Sequence, residues 1–311
     1  MSKSRIKRIA ITLGDPCGIG PEVIAKAVRR IRIPKNIQLN IIGSESIFDR
    51  YFSGLRTKCG FLAAEQGRHF TPGRPTTASA RASLTYLKKA VALLKQKKAR
   101  ALVTGPLSKD AIISLGEKFE GHTEYLARHF HAQKFGMMFV AADLKTVVVT
   151  RHIPVSKISR TLTKDMILEA IVLTHQTLKK HFSIKNAKIA VCGLNPHAGE
   201  KGRIGKEELT AIIPAVNQAK RRGIKTFGPF SADTIFYGKR SGKYDCIIAM
   251  YHDQGIIPVK ALYFEQVVNF TMGLPFIRTS PAHGTAFDIA GKNKADSSSM
   301  EEAIALAIRL A

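Results

Sequence analysis

Short apolar segments alternate with longer amphipathic ones along most of the chain. Ile9–Leu13, Ala101–Thr104 and Cys246–Ala249 have the length and composition of buried strands. Ala78–Lys97 carries leucine and valine at three- and four-residue intervals, which is the spacing of one buried helix face. Because such alternation is typical of βαβ units, the sequence predicts an α/β protein with mostly parallel sheets.

Size and composition limit the class of protein. The chain has 311 residues, of which 45% are hydrophobic, enough for two modest domains with a sizeable core. Since no apolar run approaches the length of a membrane span, we expect no membrane partner. The four cysteines show no metal-binding spacing, and a disulfide framework is not expected in a chain this long, so we expect a reducing cytoplasm.

The charge is the one unusual global property. Lysine and arginine number 49 against 23 acidic residues, which gives a net charge of +26. A nucleic-acid-binding protein is therefore an alternative from a different class. However, the basic residues are spread along predicted helix surfaces, without an aromatic-rich stripe or a nucleic-acid motif. We expect no nucleic-acid partner and attribute the charge to solvated lysines, helped by an anionic substrate and cofactor.

Three apolar strands are each followed by a polar cluster that contains a histidine. These histidines are His152, His197 and His252, and the last lies in the polar stretch Met250–Lys260. Any one of them alone is more simply a polar residue after a strand. Parallel strands bring their carboxyl ends to one edge of a sheet, where ligands of α/β proteins bind. Three imidazoles suit zinc or another borderline divalent ion, so together they predict a metal site.

Other polar residues give weaker signals when taken singly. The glycine-rich segment Gly14–Glu22 follows a predicted strand, but its spacing matches no phosphate-binding fingerprint, which favours a tight structural turn. His122 precedes a predicted helix and could donate to an anion there. Arg278 carries a planar fork suited to a carboxylate or phosphate. The alternative for both residues is an ordinary surface position.

Taken together, the motifs resemble those of the 4-hydroxythreonine-4-phosphate dehydrogenases of pyridoxal phosphate synthesis. The matching segments run in family order over nearly the whole chain, and several are long and uncommon. They are Gly14–Glu22, Gly121–Glu124, His152–Pro154, Gly193–Glu200, Tyr251–Gly255 and Gly273–Ser280.

The resemblance implies a two-domain α/β/α fold like that of isocitrate and isopropylmalate dehydrogenases, with mostly parallel sheets and an active-site cleft between the domains. We place a discontinuous cofactor-side domain at residues 1–124 plus 286–311. Residues 125–285 would form the metal, substrate and dimerisation domain.

The resemblance also implies a divalent metal, zinc, magnesium or cobalt, held by His152, His197 and His252. One of the three would come from the partner subunit of a homodimer with shared active sites. We expect His152 and His197 to lie together in one subunit and His252 to be the partner's contribution.

The family's substrate-binding and cofactor-binding positions can be carried over to this chain. Residues 283–292 are similar to the cofactor loop of isocitrate and isopropylmalate dehydrogenases, although Ala282 stands where relatives are usually acidic. This places NAD near Gly284 and Asp288, and Asp288 suits the ribose hydroxyls of NAD. Lys260 is expected either to accept a proton at the reacting oxygen or to act as a second cation there. The substrate-binding positions are His122, Thr123, Lys260, Asn269 and Arg278.

The implied reaction is the NAD-dependent oxidation of 4-phosphooxy-L-threonine at its secondary hydroxyl. The metal on the three catalytic histidines would lower the hydroxyl pKa and stabilise the alkoxide as hydride leaves. The resulting β-keto acid would lose CO₂ to give 3-amino-2-oxopropyl phosphate. A dehydrogenase of 4-phospho-D-threonate or D-erythronate, from the same family, remains the alternative.

Overall fold

Strands and helices alternate as the sequence predicts. The computed structural model describes residues 6–65, 68–239 and 242–311. The strands are β1 Lys7–Thr12, β2 Ile37–Ser44, β3 Cys59–Glu65, β4 Ala101–Thr104, β5 Gly136–Ala141, β6 Leu144–Val148, β7 Ile189–Cys192, β8 Thr226–Phe230, β9 Cys246–Ala249, β10 Val268–Met272 and β11 Ile277–Pro281.

The helices fill the segments between these strands. They are α1 Gly20–Arg30, α2 Glu45–Phe52, α3 Thr77–Lys95, α4 Lys109–Ile113, α5 His122–His129, α6 Ile158–Thr161, α7 Lys164–His181, α8 Ile213–Arg221, α9 Ala232–Lys239, α10 His252–Tyr263 and α11 Ser298–Leu310. A π-helical turn, Glu208–Ile212, leads directly into α8.

Side-chain caps define where the two longest helices begin. Thr76 accepts the Ser79 amide at 3.1 Å while its own amide donates to the Ser79 hydroxyl at 3.1 Å, a reciprocal capping box at the start of α3. Thr163 accepts the Met166 amide at 3.3 Å at the start of α7. Helix α3 therefore begins one residue before its predicted start at Ala78.

The chain divides into two compact units. Unit 1 comprises Met1–Ala132 and Leu274–Ala311, and unit 2 comprises Gln133–Gly273. The chain therefore passes between the units after Ala132 and again after Gly273, whereas we expected these crossings after residues 124 and 285. Within the described residues, no helix is long and apolar enough to cross a membrane.

Unit 1 contains a parallel sheet in the order β3-β2-β1-β4-β11. Every residue of β4 is buried, as expected for a strand covered on both faces. Helices α3 and α11 supply large parts of that cover: Tyr86 and Leu87 of α3 and Ile304 of α11 are all 1% exposed or less.

Unit 2 contains strands in the order β10-β5-β6-β9-β7-β8. The β10–β5 and β5–β6 pairs are antiparallel, and the β6–β9, β9–β7 and β7–β8 pairs are parallel. The strands that precede the three histidines, β6, β9 and β7, are therefore direct neighbours with their carboxyl ends on one edge.

Three elements differ from the sequence prediction. The edge strands β3 and β8 lie where the sequence analysis places no strand. Edge strands tolerate glycine and proline, which weaken the sequence signal. Met250–Lys260, expected to be a strand-end loop, is mostly helix α10. Its glycine is needed for packing, since a Cβ on Gly255 would lie 2.8 Å from Val148 Cγ1 and 3.0 Å from Ala249 Cβ.

Candidate functional site

The carboxyl edge of unit 2 brings two of the three histidines together. The rings of His152 and His252 have centroids 5.7 Å apart within one chain. Both line a cavity of about 220 Å³ at the ends of β6 and β9. His152 and His252 are therefore close within one chain, whereas the division of the three histidines between two subunits stays a prediction. The other residues lining the cavity are Arg151, Ile153, Val155, Ile158, Tyr251 and Asp253.

A carboxylate orients one ring of this pair. Nδ1 of His252 lies 2.7 Å from Oδ1 of Asp253, so Nδ1 carries the proton that the carboxylate accepts. The lone pair of His252 Nε2 is then available to an electrophile. A histidine held by a carboxylate in this way is typical of metal ligands.

His197 lies in an unusual backbone segment after β7. Residues 197–201 all take left-handed conformations, with φ between 41° and 76°. For residues other than glycine this conformation costs about 1–2 kcal/mol each. Backbone strain of this kind persists where the surroundings enforce it, and it clusters at functional sites.

The His197 turn faces a different neighbour from the His152–His252 pair. The turn packs against β8 and α9, on the side of β7 away from β9. The pKa of Asp233 on α9 is lowered by the Ser231 hydroxyl and to a smaller extent by His197. Among the residues that the structure describes, no three His, Cys, Asp or Glu side chains converge closely enough to hold a metal within one chain.

Two side chains that sequence reasoning did not assign to the site organise these strand ends. Gln254 accepts the Met250 amide at 2.6 Å and donates to the Gly193 carbonyl at 2.8 Å. It thereby joins the end of β9 to the end of β7. Glu208 is only 1% exposed and accepts the amides of Leu194 and Asn195, both at 2.8 Å.

A sequence signal for Glu208 existed. Its position continues the buried stripe of the following helix, formed by Ala211, Ile212 and Ala215 at helical spacing. A glutamate on an apolar stripe must find hydrogen-bond partners inside the protein, which indicates a structural or functional task.

In unit 1, three of the expected substrate-binding residues lie around the start of α5. Arg278 is 2% exposed and donates from Nη2 to Thr104 Oγ1 at 2.6 Å. Burial lowers the pKa of Arg278 to about 10, and Glu124 opposes that change, so the guanidinium stays charged at neutral pH. Thr123, in the first turn of α5, is 4% exposed.

His122 is held in its neutral form beside these cations. Burial lowers the pKa of His122 well below its ordinary value, and the charges of Arg278 and Lys109 lower it further. The sequence did not indicate Lys109 as a site residue. Its ammonium group lies beside the residue that precedes α5, since a Cβ on Gly121 would lie only 3.4 Å from its Nζ. Two fixed cations, a neutral imidazole and a helix N-terminus together favour a bound anion.

The remaining substrate-binding candidates lie in unit 2. Asn269 is on β10, and among the described residues nothing forms a hydrogen bond with its buried Oδ1. Lys260 is on α10, eight positions after His252, with its Nζ 5.5 Å from the ring centroid of Phe264. An unsatisfied amide oxygen and a flexible ammonium group are both suited to polar ligand contacts.

The expected cofactor residues lie in the loop after β11. Gly284 and Asp288 are both exposed, and a Cβ at Gly284 would meet nothing within 4 Å. The Thr285 carbonyl accepts the Ile19 amide at 2.9 Å, which joins this loop to the glycine-rich segment after β1. Gly18 is needed there, because a Cβ would lie 2.9 Å from that same carbonyl oxygen. The described contacts of Gly14–Glu22 thus fit the predicted tight turn.

Comparison with known proteins identifies the family. The family described as "Pyridoxal phosphate biosynthetic protein PdxA" matches residues 16–307. A 4-hydroxythreonine-4-phosphate dehydrogenase of Zymomonas mobilis is 40% identical, covering 97% of this chain and 95% of its own. The chain belongs to the PdxA family.

Two further PdxA relatives bear on substrate and fold. A protein of Oceanobacillus iheyensis named as a D-threonate 4-phosphate dehydrogenase is 40% identical, covering 100% of this chain and 99% of its own. The crystal structure of the 4-hydroxythreonine-4-phosphate dehydrogenase of Klebsiella pneumoniae is 34% identical, with a TM-score of 0.85 over 98% of this chain and 99% of that one.

More distant likeness extends only to the fold. A beta-decarboxylating dehydrogenase of Thermococcus kodakarensis, 15% identical, superposes with a TM-score of 0.52 over 97% of this chain and 83% of that one. The chain therefore shares its α/β architecture with that dehydrogenase.

Proposed function

We propose that this PdxA-family protein oxidises the secondary hydroxyl of 4-phosphooxy-L-threonine with NAD⁺. The oxidation yields NADH, a proton and a β-keto acid, which loses CO₂ to give 3-amino-2-oxopropyl phosphate. The names of its relatives support this reaction. The structural observation that carries it is the close pair of His152 and His252, one of them oriented by Asp253.

The donor set fits a divalent metal. Neutral imidazoles suit zinc or cobalt better than magnesium, which prefers oxygen ligands. His152, His197 and His252 would hold the metal, with one of the three supplied by the partner subunit. The bound metal supplies a Lewis acid that stabilises the substrate alkoxide.

A homodimer would complete this site. Helix α10 and the turn after it expose large apolar side chains, with Ile257 at 62%, Leu262 at 41% and Phe264 at 71%. Apolar surface concentrated at one place is typical of an interface. A second copy of the chain is the occupant that would also bring the third imidazole. Sedimentation of a monomer at micromolar concentration would contradict the shared site.

The chain's own residues bind the substrate and move its proton. Arg278, His122 and Thr123 bind an anionic end of the substrate, with the guanidinium giving a two-pronged contact and the neutral imidazole a hydrogen bond. The amide oxygen of Asn269 accepts a hydrogen bond from the substrate, and Lys260 takes the hydroxyl proton. In the cofactor loop, the exposed Asp288 accepts hydrogen bonds from the ribose hydroxyls of NAD and repels a 2′-phosphate.

The reaction can be tested with two substrates. We expect NADH to form with 4-phosphooxy-L-threonine, and expect a chelator to abolish it in a manner reversed by zinc or cobalt. His152→Ala and His252→Ala should each abolish turnover. Full turnover by either purified variant would show that the imidazole pair does not serve the reaction.

A second candidate substrate is 4-phospho-D-threonate or D-erythronate. The Oceanobacillus iheyensis relative supports it, because its identity of 40% equals that of the Zymomonas mobilis enzyme. Both substrates offer a secondary hydroxyl, a carboxylate and a phosphate, so the same site chemistry applies. A larger kcat/KM for the sugar acid than for the amino acid would decide for this alternative.

A cytoplasmic location is part of the proposal. The four cysteines, Cys17, Cys59, Cys192 and Cys246, are all free and buried, which suits a reducing compartment.

A further inference from the structure

Glu208 is a buried carboxylate that holds the loop in front of His197. We propose that Glu208 is a positioning residue for the metal site: it holds His197 where its imidazole can act as the third ligand. This inference rests on the proposed metal-dependent function. Three sets of contacts within unit 2 join Glu208 and its neighbour Glu207 to the segments that carry His197 and His152.

The first set consists of hydrogen bonds to the segment that leaves β7. Glu208 Oε1 accepts both the Leu194 and the Asn195 amides at 2.8 Å, and Oε2 accepts Asn195 Nδ2 at 2.9 Å. A carboxylate has the acceptor capacity for three such bonds, and bonds to a charged acceptor are stronger than neutral ones. The backbone two residues before His197 is therefore fixed by this one side chain.

The second set is steric and concerns the left-handed turn. A Cβ on Gly199 would lie 2.5 Å from Glu208 Oε2, and a Cβ on Gly193 would lie 3.1 Å from Oε1. The carboxylate thus lies directly against both ends of the segment that carries His197. Since left-handed residues other than glycine are strained, this packing opposes relaxation of the turn to a right-handed conformation.

The third set joins this loop to the segment after His152. Asn195 Nδ2 also donates to Glu207 Oε2 at 2.8 Å, and the Ser159 hydroxyl of α6 donates to Glu207 Oε1. The hydrogen bonds from Ser159 and Asn195 lower the pKa of Glu207. The adjacent carboxylates therefore connect the His197 loop with the chain that continues from His152.

The alternative role for Glu208 is local stability alone. Metal affinity distinguishes the two roles, because a purely structural residue changes unfolding without changing binding in the folded state. Residues that orient a metal ligand typically change metal affinity by about 10- to 100-fold when substituted. Glu208→Gln is nearly isosteric and can keep the two backbone bonds, but its amide nitrogen cannot accept from Asn195.

The experiment titrates the metal-free full-length protein with Co²⁺ alone, followed by its visible absorption. It compares the parent with Glu208→Gln, Asn195→Ala and His197→Ala. Glu169→Gln, on the exposed face of α7, is the matched control. Circular dichroism at the titration temperature establishes that each variant is folded. Asn195→Ala removes the side-chain amide that donates to Glu208 Oε2, so it tests the same hydrogen bond if Glu208→Gln does not fold.

We expect Glu208→Gln or Asn195→Ala to weaken Co²⁺ binding at least tenfold, to shift the spectrum in the direction that His197→Ala does, and to leave the fold intact. Glu169→Gln should bind like the parent. If His197→Ala weakens binding but the folded Glu208→Gln and Asn195→Ala variants do not, the positioning role is overturned and the metal site stands. If His197→Ala binds like the parent, both the metal assignment and the role of Glu208 fail.

Discussion

The Gln254 side chain donates from Nε2 to the Gly193 carbonyl oxygen at 2.8 Å, while its Oε1 accepts the Met250 amide. This one amide joins the ends of the neighbouring strands β9 and β7. Gln254→Leu keeps the approximate size but leaves the Met250 amide and the Gly193 carbonyl without that partner. We expect the free energy of unfolding to fall by about 1–3 kcal/mol, measured by urea denaturation. Gln176→Leu, on an exposed position of α7, is the control and should change it little.

Asp253 orients the His252 ring through the 2.7 Å contact with Nδ1. Asp253→Asn replaces the acceptor with an amide that can also donate, so the proton is no longer fixed on Nδ1. We expect Zn²⁺ affinity to fall by about 10- to 100-fold in equilibrium dialysis. Asp143→Asn, in the exposed turn between β5 and β6, should leave it unchanged. Equal affinities for the two variants would contradict the orienting role.

Arg278 is expected to bind an anionic group of the substrate through its planar fork. Arg278→Lys keeps the charge but loses the two-pronged geometry. The expected result is a KM for the phosphorylated substrate raised by at least about tenfold, or about 1.4 kcal/mol of binding free energy. Arg81→Lys, on an exposed position of α3, should leave KM as it is. Steady-state kinetics with saturating NAD would reject the assignment if both variants gave the parent KM.

The depressed pKa of His122 makes the folded protein sensitive to acid. The unfolded chain takes up a proton at this residue near its ordinary value of about 6.5, whereas the folded chain does so only at lower pH. The stabilising contribution is therefore complete above that value and is lost as pH falls through it toward the folded pKa. His122→Asn should make stability fall less steeply below about pH 6.5, measured by urea unfolding across pH.

Removing one nearby charge tests what lowers the pKa of His122. Lys109→Met removes one of the two cations that lower the His122 pKa, so its slope should lie between those of the parent and His122→Asn. Lys35→Met removes an exposed charge elsewhere and serves as the comparison. Identical slopes for Lys109→Met and the parent would mean that the charge of Lys109 does not contribute to the low pKa of His122.

The exposed Asp288 is expected to select NAD over NADP. Asp288→Ser removes the carboxylate that would bind the ribose hydroxyls and repel a 2′-phosphate. We expect the KM for NAD to rise and the ratio of kcat/KM for NAD over NADP to fall by about tenfold. Asp296→Ser, outside the expected cofactor loop, is the matched substitution. An unchanged ratio in the Asp288 variant would place the ribose elsewhere.

Local pattern was sufficient for much of the fold. The buried strands β4 and β9 have the bounds that their sequences predict, because apolar runs mark them directly. The histidines after β6, β7 and β9 could also be found, since each follows a clear strand. Their neighbour relation could not, because strand order depends on contacts between residues distant in the sequence.

Helix α10 and the contacts of Glu208 could not be predicted from local sequence patterns. Glycine and proline both disfavour a helix interior, yet Gly255 and Pro258 lie within α10. The glycine is needed because a side chain at this position would clash with β6 and β9. Glu208 lies on the apolar stripe of the following helix, but its hydrogen-bond partners depend on the folded path of the chain after β7.

Gly255 also affects how far the His252 imidazole lies from the sheet. With no side chain at this position, the backbone of α10 rests almost on the methyl groups of Val148 and Ala249. His252 is the first residue of the same helix, so a side chain at position 255 would push α10 off the sheet and move the His252 ring away from His152. The spacing of two nitrogen donors is thus set, in part, by an atom that the chain lacks.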